Sequence, residues 1–222
     1  GLLRARGFAW DSAVADKADH IYPVTSLYFD SPSYHCYHEK LSGLERRFKV
    51  RLRGYARELE EAAALYLELK RKRCDLVSKD RIAVSAETAQ ALAARDAHAL
   101  VSSARAEKDD GERAVGEQLA TFFSRFALLP RLVVRYLRVP LMGTEANRLR
   151  VTFDRELEAY PFERGEGYTA SLPTNHKVIL EIKYNGAMPR WLHALIVEKG
   201  LERVAFSKYC VAVATLRSHF LL

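Results

Sequence analysis

Four cations alternate with three apolar residues in "RRFKVRLRGY", residues 46–55. Arg47, Lys49, Arg51 and Arg53 hold the odd positions, and Phe48, Val50 and Leu52 hold the even ones. Read as a strand, the stretch has one basic face and one apolar face. Cations at i and i+2 lie about 7 Å apart, where two unit charges repel by about 2.4 kcal/mol at an effective dielectric near 20 and about 0.6 kcal/mol in water. An exposed face tolerates that repulsion; an enclosed one needs anions opposite. The chemistry such a row offers is phosphate binding: guanidinium grips phosphate oxygens in pairs, and ammonium acts as a point charge. Taken alone, the stretch fits a solvated strand face equally well.

The arrangement recurs. In "ALYLELKRK" (64–72), Tyr66, Glu68, Lys70 and Lys72 oppose Leu65, Leu67 and Leu69. In "RLVVRYLRVPL" (131–141), Arg138 shares a face with Tyr136, and in "RLRVTFDRELEAY" (148–160) Arg148, Arg150, Thr152 and Asp154 share one. In "KVILEIKYNG" (177–186), Glu181 and Lys183 oppose Val178, Leu180 and Ile182. If these faces turn inward on a closed sheet, they line a cationic channel suited to a polyanion such as a phosphate chain. Glu68 and Glu181 would repel that ligand unless they hold a divalent cation bridging the phosphates.

Strand and helix periods then place these residues. Strands are predicted at 24–30, 46–55, 64–72, 131–141, 148–160 and 177–186, with a short strand or turn at 78–84. Helices are predicted over roughly 87–100 behind an N-cap at Ser85, over 114–127, between Pro189 and Gly200, and over 207–220, with a polar loop at 102–113. A short helix fits 11–18. The pattern is α+β with mostly antiparallel strands, and meandering strands close into a barrel with helices packed outside and between them.

The 222 residues, 49% hydrophobic, are enough to bury a core, and no Pro/Gly/Ser-rich linker divides them, so one domain over 1–222 is expected. A formal charge of +7 favours an anionic partner without naming it. Cys36, Cys74 and Cys210 form no CxxC pair, which argues against a disulfide framework or a zinc site and for a reducing, cytoplasmic setting. No apolar run approaches the roughly 18 residues of a membrane span. No GxxxxGK[ST] loop is present, so a nucleotide would not be held in P-loop fashion. A nucleic acid is not expected, because the Phe48 face lies opposite the Arg51 face and offers no stacking beside the arginines. His35, His38 and His176 form no spaced metal motif, Asp30 reads as a turn-capping carboxylate, and Tyr28, Tyr34 and Tyr37 read as packing residues.

The stretch "YPVTSLYFDSPSYHCYHEKLSGLERRFKVRLRGY", followed in order by "LYLELKRK", "SKDR", "RYLRVPL", "LRVTFD", "VILEIKYNG" and "FSKY", resembles the VTC domains, the catalytic domains of polyphosphate polymerases within the triphosphate tunnel metalloenzymes. The resemblance runs from about Tyr22 to Tyr209. It implies an antiparallel barrel tunnel that binds ATP, polyphosphate or triphosphate with Mn2+ or Mg2+ and moves a terminal phosphoryl group onto a polyphosphate chain. It assigns Arg51, Arg53, Lys70 and Arg138 to catalysis. Arg47, Lys49, Lys79, Tyr136, Arg150, Ser207 and Lys208 fall to substrate binding, and Glu181 and Glu68 to the metal. A triphosphatase or a non-catalytic polyphosphate-binding module on the same fold are the alternatives, and a membrane-bound partner protein is compatible with either. The resemblance also implies a first strand with alternating charge; before Tyr22 only "LLRARGFAW" is a candidate, with no acid until Asp11.

Overall fold

The structure is a computed structural model that describes residues 3–74, 76–107, 109–143, 149–173, 178–184 and 186–220. Its frame is a nine-stranded antiparallel sheet: β1 (Ala9–Trp10), β2 (Tyr22–Asp30), β3 (Arg46–Gly54), β4 (Leu65–Arg73), β5 (Leu76–Val84), β6 (Leu129–Met142), β7 (Arg150–Pro161), β8 (Ala170–Ser171) and β9 (Ile179–Lys183). The order is β5-β4-β3-β2-β6-β7-β8. β1 continues the line of β2 along one edge of β6, and β9 lies end to end with β8 along the outer edge of β7. The predicted α+β antiparallel architecture is present. Among the described residues no backbone ladder joins β5 to β8 or β9, so the hydrogen-bonded sheet is open, although it curls far enough for β3 and β7 to reach the same helix end.

The described residues also form six α-helices: α1 (His35–Leu41), α2 (Ala86–Ala93), α3 (His98–Ala106), α4 (Asp110–Phe126), α5 (Arg190–Glu198) and α6 (Lys208–Phe220). The predicted helix over 87–100 is two helices. Arg95 adopts a positive φ of 70°, which stops the first after Ser85 has capped it by accepting from Thr88 N–H. Most of the predicted loop at 102–113 is helical: α3 runs on to Ala106, and Asp109 accepts from Glu112 N–H and starts α4 earlier than its apolar period suggests. Residues 11–18 form turns rather than a helix. Arg148, His176 and Asn185 lie outside the described residues.

The apolar strand faces build the main core. Phe48 packs against Phe122 and Phe126 of α4, Phe29 against Phe123, and Val50, Leu52, Leu67 and Leu69 lie beneath the same helical layer with Leu92 and Leu100. A second cluster joins Phe8, Leu141, Leu149, Val151 and Leu192 under α5. With these faces buried, strand alternation leaves the charged faces on the opposite side of the sheet. There α6 docks, its Tyr209 fully buried and donating its hydroxyl to Asp30. Asp30 also accepts from the N–H groups of Ser31, Cys36 and Tyr37, the capping part expected of it.

Candidate functional site

Register brings the charged residues together. Across the strands Tyr28 pairs Arg51, Arg51 pairs Glu68, and Glu68 pairs Arg81. One step along, Lys49 pairs Lys70 and Lys70 pairs Lys79. On the far side of β2, Arg138 pairs Asp154, and Thr152 pairs Glu181. All of these side chains share the face that α6 covers in part, so they line one cradle in which arginine and lysine outnumber the carboxylates.

Glu68 is its densest knot. It is 1% exposed. Arg51 Nη2 and Nε approach Oε2 at 2.6 and 2.7 Å, Arg53 Nη1 stands 3.8 Å from the same oxygen, and Lys79 Nζ lies 2.6 Å from Oε1. Burial alone would raise this carboxyl, but Arg51, Arg53 and Lys79 outweigh it and hold its pKa at about 2. Arg51 also donates to Tyr28 Oη at 3.0 Å, and burial of that phenol is outweighed by Arg51 and Arg53, so its pKa is lowered. Tyr28 therefore packs and supports an arginine at once.

Asp154 forms the second knot, with no exposed surface at all. Arg138 grips it with Nε on Oδ1 at 2.6 Å and Nη2 on Oδ2 at 2.8 Å, and Lys208 Nζ reaches Oδ2 at 2.7 Å. Burial opposes ionisation, yet these cations lower the Asp154 pKa. Lys208 stands at a helix N-terminus, where the backbone dipole disfavours a cation; Asp154 offsets that cost. Ser207, just before it, accepts from Cys210 N–H and from Lys49 Nζ at 3.0 Å, so one hydroxyl caps α6 and ties it to β3.

Tyr136 is 3% exposed and joins the knots. Its hydroxyl accepts from Arg53 Nη2 at 3.3 Å, and its ring lies under Arg138 and Lys208 with cation-to-centroid distances of 5.3 and 4.7 Å. Glu181 is more open, its side chain 41% exposed, with Lys183 at 3.3 Å and Arg138 at 3.6 Å. Its burial is outweighed by Lys183, Arg138 and Lys208, so its pKa too is lowered. Arg150 meets Asp11 at 3.0 Å just after β1, and Arg47 donates to the Leu44 carbonyl at the outer end of β3.

Lys70 stands apart. Among the described residues it has no hydrogen bond or ion pair, and its cross-strand neighbours are both lysines. Enclosure by the curled sheet, although the side chain keeps contact with solvent, lowers its pKa first; Arg51 and Lys49 lower it further against the pull of Glu181. Like charges directly opposite destabilise a sheet. Lys70→Ala should leave the unfolding free energy within about 0.5 kcal/mol of wild type or raise it, because no partner is orphaned. If polyphosphate is the ligand, as the sequence resemblance implies, affinity for it should fall about tenfold, the equivalent of roughly 1.5 kcal/mol for one charged hydrogen bond. Paired denaturation and titration of the variant check both halves.

The cradle thus unites Lys49, Arg51, Arg53, Glu68, Lys70, Lys79, Tyr136, Arg138, Glu181, Ser207 and Lys208, while Arg47 and Arg150 stand toward its ends. Residues the sequence did not single out join it. Arg81 lies two positions beyond Lys79 on the same strand face, with its guanidinium 4.5 Å from the Tyr66 ring centroid; the spacing in "SKDR" carried that signal. Asp154 shared the predicted face of Arg150, but nothing in its neighbours marked it as buried. Among the described residues no three His, Cys, Asp or Glu side chains converge as a metal cage. A hard divalent ion bound through one or two carboxylates and completed by phosphate oxygens and water needs no such cage, and Glu181 is the carboxylate open enough to serve it.

A family model of the VTC domain matches residues 5–217. Vacuolar transporter chaperone complex subunit 4 from Trypanosoma brucei brucei (strain 927/4 GUTat10.1) is 24% identical over 230 residues, covering 89% of this chain but 29% of that protein. The chain therefore spans under a third of the curated relative it matches. Among solved structures, a candidate adenylate cyclase from Bacillus halodurans is similar at 12% identity and a TM-score of 0.48, over 88% of this chain and 84% of that one. A candidate adenylyl cyclase from Hippeastrum, described as having a dominant triphosphatase activity, is similar at 18% identity and a TM-score of 0.47, over 91% and 84%.

Proposed function

The chain belongs to the VTC domain family, and from that premise we propose that residues 1–222 act as one cytoplasmic polyphosphate polymerase-type unit. It binds ATP and polyphosphate in the cradle and transfers the terminal phosphoryl group to the growing chain. One observation carries the reading: the cradle keeps cations beyond those its own carboxylates neutralise, and Lys70 is left among like charges with no partner of its own. A polyanion supplies what is missing.

In the proposed reaction a terminal oxygen of polyphosphate attacks the terminal phosphorus of ATP. The bond from that phosphorus to the bridging oxygen breaks, and ADP leaves with the electron pair. The attacking oxygen is already ionised, so no general base is required. Arg51 and Arg53 hold phosphate oxygens from β3, Lys70 and Lys79 from β4 and β5, and Arg138 from β6, while Lys49, Lys208 and Ser207 close the far side. Charge spread over the transferring group meets preorganised donors, the main source of acceleration in such chemistry. Tyr136 fixes Arg53 and Arg138 from beneath. Mn2+ or Mg2+ held at Glu181 would polarise the phosphoryl oxygens. Glu68 joins it as a ligand only if Lys79 swings off Oε1; as placed, it orders Arg51 and Lys79. By analogy with a relative named as the subunit of a complex, a membrane-bound partner protein belongs to the same proposal.

Incubation with ATP and Mn2+, with separate detection of long-chain polyphosphate and free phosphate, tests the reading. Polymer with stoichiometric ADP is expected. Free phosphate without polymer would make the unit a triphosphatase. Neither product, with retained polyphosphate affinity, would leave a binding module.

A further inference from the structure

A second basic surface begins at the end of the cradle marked by Arg47, where β4 turns into β5. Four aliphatic side chains protrude there: Leu76 and Val77 on the hairpin, 78% and 55% exposed, and Leu41 and Leu44 beside it, 57% and 50% exposed. Basic residues are interleaved with them by register. Arg46 pairs Arg73, Arg73 pairs Leu76, Arg47 pairs Lys72, and Lys72 pairs Val77. Among the described residues Arg46, Lys72 and Arg73 have no acidic partner, whereas Arg71 is neutralised by Asp80 at 2.5 Å. Cys74 turns the chain at a positive φ of 53°, and its N–H donates to the Glu45 carbonyl at 3.0 Å, tying the hairpin to the start of β3.

A polyphosphate would use the cations but has no need of exposed leucines. A folded protein or peptide partner would use both, but the usual seat for an apolar segment is a groove, and these side chains project from a turn and a helix end. Protruding aliphatics among arginine and lysine, which outnumber the one carboxylate held there by Cys74, that of Glu45, suit an anionic bilayer surface, where the apolar tips enter the acyl boundary and the cations meet lipid phosphate. We infer that the β4–β5 hairpin, with Leu41 and Leu44, is a docking surface for membranes rich in anionic phospholipid. This goes beyond the proposed catalytic function and does not depend on it.

The test is flotation of the whole chain with vesicles of phosphatidylcholine alone or mixed with phosphatidylglycerol, at physiological salt. Binding to the mixed vesicles and not to the neutral ones is expected. Leu76→Ser with Val77→Ser should lower that binding about tenfold through lost insertion, and Arg73→Glu should do so through lost charge. All three positions are exposed, so the unfolding midpoints and polyphosphate affinity should not move. Two outcomes overturn the inference: no preference for anionic vesicles, or serine variants that float as well as wild type, which would place all binding on the cradle.

Discussion

Glu68→Gln should cost about 3–5 kcal/mol of folding free energy, the usual effect of removing one member of a buried ion network. The amide keeps the shape but leaves Arg51, Arg53 and Lys79 facing each other without the charge that separates them. For a chain of this size that amounts to a fall in unfolding midpoint of about 10 °C. The pH dependence gives an independent handle. Glu68 titrates near 2 in the folded protein against an ordinary value of 4.5, so the folded state favours its ionised form. The stability it contributes is complete above about pH 4.5 and is lost as the pH falls toward 2, a difference of about 3 kcal/mol. Thermal unfolding from pH 7 down to pH 3 should therefore show wild type losing stability across that window more steeply than Glu68→Gln. Added polyphosphate should raise the variant's midpoint more than that of wild type, because the ligand restores the missing negative charge. A variant as stable as wild type would mean that the three cations find solvent or one another tolerable without Glu68.

Arg138→Ala should reduce phosphoryl transfer by about 100- to 1,000-fold, the scale of losing one preorganised donor to a charged transition state. Arg138 is the guanidinium that stands between the Asp154 knot and Glu181, 3.6 Å from the carboxylate proposed for the metal. Deletion also removes both bidentate bonds to Asp154, so part of the loss will come from disorder. Arg138→Lys separates the two effects. Its ammonium still compensates Asp154, as Lys208 does at 2.7 Å, but it lacks the planar fork. The lysine variant should recover most of the stability and remain at least about tenfold slow in transfer. Steady-state rates of ADP release beside denaturation curves check this. A lysine variant with wild-type rate would show that Arg138 acts only as a point charge.

The strands and their faces were legible because a two-residue period is strict: once Phe48, Val50 and Leu52 are assigned to the core, Lys49, Arg51 and Arg53 have one direction left. The cations of the cradle followed from that period and from the motif order. What could not be read was pairing across distance. Asp154 and Lys208 are far apart in sequence, and nothing local shows that a lysine at a helix start is offset by a strand aspartate. The break at Arg95 was hidden because the apolar period runs on through it, while a single positive φ splits the helix. The short β1 lies at the end of the candidate "LLRARGFAW", but the sequence could not bound it, because two residues carry no period at all. It is the register with Leu141 and Met142 that makes Ala9–Trp10 a strand, and it delivers Asp11 to Arg150 where no acid-bearing first strand was visible.

For the polyanion proposed as ligand, the two buried carboxylates change how it would enter the cradle. Glu68 and Asp154 are resident counterions, bound covalently to the frame and already seated where phosphate oxygens would sit. A ligand does not fall into an empty positive field; it exchanges with anions that cannot diffuse away. Loading is then an ion-exchange step. Fewer mobile salt ions are released per phosphate bound than the tally of lysines and arginines implies, and salt weakens binding less steeply than it would on a bare basic surface.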